Sequence, residues 1–221
     1  MENLYRNGLE LYKQLDDTIE AHFLTHKKQA PCAKGCSSCC SQFFEISELE
    51  FMLMFEAIDN LPDEKKSLLA DKAQALFSLF KEYWPSFYED YFTPETSTIH
   101  TDEYYQHPER FKVNIPCVFL SDDGGCEIYA HRPIICRTTG VGYQHLINFG
   151  SVCNYIKGIT SPLWQADLRP FIPTIEEIRW LPDPSDSQNY KRQYPMFYYI
   201  YDLFINEKQQ KYLSILESYK I

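Results

Sequence analysis

Cys32-Ala33-Lys34-Gly35-Cys36-Ser37-Ser38-Cys39-Cys40 places four thiols within nine residues, in the pattern C-x3-C-x2-C-C. Core packing alone does not produce such a run. A thiolate is a soft, anionic ligand, and spacings this short let one loop wrap a single zinc or iron centre. Lys34, Gly35, Ser37 and Ser38 suit a loop. Glycine tolerates positive φ, and small polar residues let backbone amides turn toward sulfur. The vicinal pair Cys39-Cys40 adds a geometric constraint. Neighbouring side chains in extended chain point opposite ways, so two such thiols rarely bind one metal atom together. They serve two irons of a cluster, or two sites, or one of them is a spare thiol.

On the N-terminal side of this loop, Leu4, Leu11, Leu15, Ile19 and Phe23 follow the helical period and predict an amphipathic helix over 3–28, with Asp16, Asp17 and Glu20 on its other side. His22 and His26 lie one turn apart at its end. They could share a metal, but a solvated helix terminus suits them better. On the C-terminal side, Ser47 with Glu50 forms a capping box, and Ile46 with Phe51 can form a hydrophobic staple. A helix is expected over 48–59, fed directly by the cysteine loop. Pro62-Asp63-Glu64 opens another, with Leu69, Ala73, Leu76, Phe80 and Tyr83 as its buried stripe. Residues 84–112 are aromatic and irregular. His100 and His107 lie there without ligand spacing and read as surface residues.

A second cysteine block follows. Cys117 and Cys126 flank Ser121-Asp122-Asp123-Gly124-Gly125, a strong hairpin signal. A short helix starting near Arg132-Pro133 would aim Cys136 back at the hairpin; His131 could ligate metal, but a cap of the hairpin's end suits it better. Cys153 comes after a link containing Gly140, Gly142 and Gly150. Arg132 and Arg137 flank Cys136. A four-thiolate zinc site or an oxidised 4Fe-4S cluster carries about two negative charges. Guanidinium groups beside it would offset that charge and donate to sulfur. Pairing with the chain's many acidic residues is the alternative use of both arginines. Residues 160–195 hold six prolines and read as an irregular wrap, with a short helix over 175–181 capped by Thr174 and Glu177. A helix over 196–219 closes the chain.

The formal net charge of −10 opposes phosphate backbones and anionic lipid, so nucleic acid and membrane are poor partners. Met1-Glu2-Asn3-Leu4-Tyr5-Arg6 lacks the basic-then-apolar layout of a signal peptide, and a cytoplasmic location is expected. Thiols stay reduced there, so clustered cysteines point to metal or redox chemistry more than to structural disulfides. No phosphate loop, dinucleotide glycine pattern or nucleophile elbow is present.

The four blocks taken together are Cys32-x3-Cys36-x2-Cys39-Cys40 before a capped helix, Pro116-Cys117-Val118-Phe119-Leu120, Gly125-Cys126-Glu127-Ile128-Tyr129, and Arg132-Pro133-x2-Cys136-Arg137. This set resembles the YkgJ-type cysteine-cluster family across roughly residues 30–155. Members of that family are described as zinc- or iron-chelating proteins, sometimes as iron–sulfur oxidoreductases, and a related cluster occurs in a flagellin lysine N-methylase branch. The first spacing is x3 where members often have x2, which shifts one ligand by a residue. The C-x3-C-x2-C start also matches radical S-adenosylmethionine enzymes, but those need a βα barrel, and this chain has too few strand-like runs.

The expected fold is mainly α: a single helical domain over 1–221 with one small β-hairpin, and irregular loops gathering a cysteine metal site. Residues 30–155 form the metal-binding core with a helical insertion at 61–112, and residues 156–221 form a C-terminal wrap and helix. The expected metal ligands are Cys32, Cys36, Cys39, Cys40, Cys117, Cys126, Cys136 and Cys153, with Arg132 and Arg137 as cofactor-binding residues. An iron–sulfur (4Fe-4S) centre used for electron or group transfer is preferred, because Cys39-Cys40 suits a multinuclear site. One or two structural four-cysteine Zn2+ sites in an interaction module are the alternative. An iron–sulfur oxidoreductase or a methylase-like enzyme would add a protein redox or modification partner. A metal-free thiol switch is a third reading.

Overall fold

The computed structural model describes residues 2–30, 35–85, 88–89, 115–139, 166–180, 182–183, 186–190 and 193–220. The expectations placed on Cys32, Cys153, His100, His107 and most of the aromatic segment therefore lie outside the described residues. Within them the protein is mainly helical, as its hydrophobic periodicity requires.

Helix α1 (Glu2–Thr25) buries Leu11, Leu15 and Phe23, the stripe read from the sequence. Gly8 interrupts an otherwise good helix former for a packing reason. A Cβ placed there would lie 2.7 Å from Leu53 Cδ1, so the glycine lets α1 approach its neighbour closely. That neighbour is α2 (Glu48–Asp59), which buries Leu49, Phe51, Met52, Leu53, Met54, Phe55 and Ile58. A helix buried on most of its sides is a central one, and α2 keeps Glu56 as its exposed edge. Its capping box is complete. Ser47 Oγ accepts the Glu50 amide at 3.1 Å and Glu50 Oε2 accepts the Ser47 amide at 3.2 Å.

Helix α3 (Asp63–Tyr83) buries Leu69, Ala73, Leu76 and Phe80. Tyr83, read as the end of that stripe, is instead 62 % exposed. It sits at the last turn, beyond the packing partner of α3. A short helix α4 (Ile134–Thr139) carries Cys136. Helix α5 (Ile172–Arg179) starts earlier than the expected 175, with Pro173 in its first turn and no side-chain cap. Proline's fixed φ replaces the Thr174 cap that the sequence suggested.

The closing helix expected over 196–219 is two helices, α6 (Met196–Phe204) and α7 (Gln209–Lys220). The break follows from Asp202. Its carboxylate accepts Asn206 Nδ2 at 3.0 Å, Tyr212 Oη at 2.8 Å and Lys211 Nζ at 3.1 Å. Those bonds tie α7 back across a turn in which Glu207 takes a φ of 53°. α6 packs on α3 through stacked Phe77–Tyr201 rings (4.2 Å) and Phe80–Phe197. α7 returns to α1 through Tyr5–Tyr219.

Short strands lock the ends. β1 (Glu45–Ile46) pairs antiparallel with β4 (Tyr194–Pro195), Glu45 opposite Pro195 and Ile46 opposite Tyr194. β2 (Pro182–Asp183) pairs with β3 (Asp186–Tyr190) in a small antiparallel hairpin, within the stretch expected to be an irregular wrap. The Asp122–Gly125 turn closes as a tighter element than a full hairpin. Ser121 N donates to Gly125 O at 2.9 Å, Glu127 N to Phe119 O at 3.0 Å, and Leu120 faces Cys126 in a single bridge. No described helix is long and apolar enough to cross a membrane.

Candidate metal centre

The first cysteine loop is built from successive turns. Gly35 has a φ of 95°, a conformation only glycine adopts without strain. Cys40 N donates to Ser37 O and Gln42 N to Cys39 O, each at 3.0 Å. The chain then enters β1 and the capped α2. In this turn Cys39 and Cys40 are not extended, and their side chains hydrogen-bond each other. The opposed orientation expected of the vicinal pair does not apply once the backbone curls.

The second block is stitched to the first. Cys117 N donates to Cys40 O at 2.6 Å. A Cβ at Gly124 would lie 3.6 Å from Gly35 O and 3.7 Å from Ser37 Oγ, so the 121–125 turn rests on the first loop. Lys72 Nζ donates to Leu120 O and Lys65 Nζ to Glu127 Oε1, both at 2.7 Å, which fixes the turn against α3. Cys136 enters from α4. The α4 N-terminus is held by Glu50, whose Oε1 accepts the Ile134 amide at 3.2 Å. Ser47 Oγ also donates to Ile178 O at 2.8 Å. One capping box thus joins the end of the cysteine loop, the start of α4 and the end of α5.

Five thiols from three separated segments gather here. Cys39 carries Cys40 as its hydrogen-bond partner, Cys117 lies within electrostatic reach of Cys126 and Cys39, and Cys136 within reach of Cys117, Cys39 and Cys126. All carry free thiols. The hydrogen bond to Cys40, and then burial, push the Cys39 thiol well above the ordinary range. Burial pushes Cys117 up to about 12, aided by Cys126 and Cys39 and opposed by amides of Phe119 and Leu120 that donate to its sulfur. Burial also raises Cys136, with Cys117, Cys39 and Cys126 adding to it and Arg132 opposing. Burial and neighbouring sulfur thus favour the protonated form of Cys39, Cys117 and Cys136. Cys36 is half-buried beside this group in the chain, while Cys32 and Cys153 lie outside the described residues.

The donor set fits a thiophilic metal in chemistry: soft sulfur ligands, and two amides already directed at Cys117. Among the described residues, no three His, Cys, Asp or Glu side chains stand in a geometry that could hold a single ion. The convergence of sulfur is therefore the observation, rather than a finished ligand cage.

The two arginines that flank Cys136 sit differently. Arg137 is fully buried and spends its guanidinium on Asp16, Arg132 O (2.9 Å) and Ala130 O (2.6 Å), with its plane 4.3 Å from the Tyr12 ring. Arg132 bonds Tyr129 O and Asp16 and lies 4.3 Å over the Tyr129 ring. His26 Nδ1 lies 2.8 Å from His22 O at the end of α1, and His131 is exposed in a 3-10 turn over Tyr129–His131.

Asp16 and the far oxygen of Glu50 were not legible as parts of this site. Asp16 reads as one of several acids on a solvated helix face, and the capping box explains only one of the two Glu50 oxygens.

The CxxCxxCC family model, described as "Putative zinc- or iron-chelating domain", matches residues 31–154, and the chain belongs to this family. No curated protein and no solved structure matches the chain. The match supports metal binding.

Proposed function

We propose that residues 30–155 hold an iron–sulfur centre of the 4Fe-4S type, used for electron or group transfer. The observation that carries this reading is the gathering of Cys39, Cys40, Cys117, Cys126 and Cys136. One tetrahedral zinc and one 4Fe-4S cluster each take four thiolates, so the count alone does not separate them; thiols that converge without forming a single-ion cage among the described residues suit ligands spread over several irons. The candidate ligands are Cys32, Cys36, Cys39, Cys40, Cys117, Cys126, Cys136 and Cys153, of which one cluster would take four. Such a centre supplies one-electron chemistry when bound. The chain's own residues set its surroundings: amides of Phe119 and Leu120 hold the Cys117 sulfur, and α4 delivers Cys136 under the control of Glu50. A shallow depression lined by Phe43, Phe44, Cys117, Met196 and Phe197 gives one thiol an apolar border.

Eight thiols also divide into two four-cysteine zinc sites, which makes structural zinc the second reading. Purification without air, followed by absorption spectroscopy and iron, sulfide and zinc analysis, separates the two. A brown protein with about four irons and matching sulfide supports the cluster. A colourless protein with one or two zincs overturns it.

A further inference from the structure

We propose that Arg132 hydrogen-bonds a sulfur of the metal-loaded centre through its Nε–H, and that Asp16 is the positioning residue that holds it there. The inference rests on the metal-binding reading above and divides the work of two arginines that look equivalent in the sequence.

Each of the three Arg137 nitrogens already has a protein acceptor. Nη1 donates to Asp16, Nε to Arg132 O, Nη2 to Ala130 O, and its face lies on Tyr12. It bolts the 130–132 turn to α1. Arg132 differs at one atom. Nη1 donates to Tyr129 O at 3.0 Å, Nη2 to Asp16 Oδ1 at 3.2 Å, and the Tyr129 ring covers one face. Nε is enclosed by protein and has no acceptor among the described residues. Enclosed donors are almost always satisfied in folded proteins. The thiol nearest in the chain is Cys136, four residues on at the start of α4, and the electrostatic influence of Arg132 on that thiol places the two groups near each other. A thiolate or sulfide is the acceptor that a guanidinium Nε–H would meet there. Asp16 grips both arginines at once, so it fixes the fork and aligns the remaining donor. Partners of this kind govern ligand orientation and affinity at metal centres.

The test uses the full chain, stripped of metal under reducing conditions and titrated with Co2+, whose sulfur-to-metal charge-transfer band reports on the thiolates. A hydrogen bond lowers the energy of sulfur lone pairs, so its loss moves the band to longer wavelength. Arg132→Met and Asp16→Asn should each show that red shift and bind Co2+ about 10–100-fold more weakly. The double variant should show no further shift, because Asp16 acts through Arg132. If Arg132→Met fails to fold, Asp16→Asn alone decides, since its isosteric change lies on a 41 % exposed side chain. Weakened binding with an unmoved band would mean a purely structural clamp and would overturn the proposal, as would an added shift in the double variant. A native chain that gives no band at all would sink the metal-binding reading, and this proposal with it.

Discussion

The backbone amide of Cys117 donates to the carbonyl oxygen of Cys40 at 2.6 Å. This bond joins two cysteine blocks that are far apart in the chain, next to a thiol from each. Whatever binds those thiols therefore closes a long loop of chain as well as a coordination shell. Binding to the native state alone stabilises it, by about 2.7 kcal/mol when the ligand is at a hundredfold excess over Kd. Removing metal with a chelator should lower the melting temperature and restoring it should reverse the change, as read by circular dichroism. A melting temperature indifferent to chelator would separate the cysteines from stability.

Glu50 joins its own cap to the helix that bears Cys136. Glu50→Ala leaves the Ser47 and Ile134 amides buried without acceptors, each at a cost of about 1–3 kcal/mol. We expect a loss of about 3 kcal/mol by urea denaturation, well above an ordinary capping substitution of about 1 kcal/mol. A loss no larger than that would show that the bond to α4 contributes little.

Tyr12 presents the opposite case. Its hydroxyl is buried and has no hydrogen-bond partner among the described residues, while its ring stacks on Arg137. Tyr12→Phe keeps the ring and removes an unsatisfied polar atom, so it should leave stability unchanged or raise it by about 1 kcal/mol. A clear loss in thermal melting would mean that the hydroxyl is bonded in the protein.

Asp202 sets the one pH dependence that the fold makes explicit. Burial alone would raise its carboxyl, but hydrogen bonds from Asn206, Tyr212 and Lys211, with the Lys211 charge, prevail and hold it below its ordinary value. A carboxylate with a depressed folded pKa stabilises above its unfolded pKa, and that contribution is lost as pH falls through the folded one. Asp202→Asn should therefore cost about 2 kcal/mol at neutral pH. The gap from the native chain should narrow below pH 3.8, the ordinary value of the group. Urea titrations at neutral and acid pH check this, and a gap that widens in acid would contradict it.

Local signals carried most of the helical layout. Ser47 and Glu50 lie three residues apart, and the helix they cap spans Glu48–Asp59, as their spacing requires. The hydrophobic period of α1 is likewise local. What escaped the sequence depends on distant partners. Glu45–Ile46 pairs with Tyr194–Pro195, and nothing in either dipeptide specifies the other. The break between α6 and α7 depends on Asp202 reaching forward to Tyr212. The cysteine spacings marked a metal site, yet Asp16 became part of its surroundings only when folding brought α1 against Arg132 and Arg137. The curl that turns Cys39 toward Cys40 replaced an argument made for extended chain.

The central claim is that both cysteine blocks serve one centre. Cysteine alkylation of the native chain, mapped by mass spectrometry with and without chelator, tests it most directly. The account predicts that Cys39, Cys40, Cys117, Cys126 and Cys136 are protected together and become reactive together when metal is removed. Protection confined to one block, with the other equally reactive in both conditions, would contradict it.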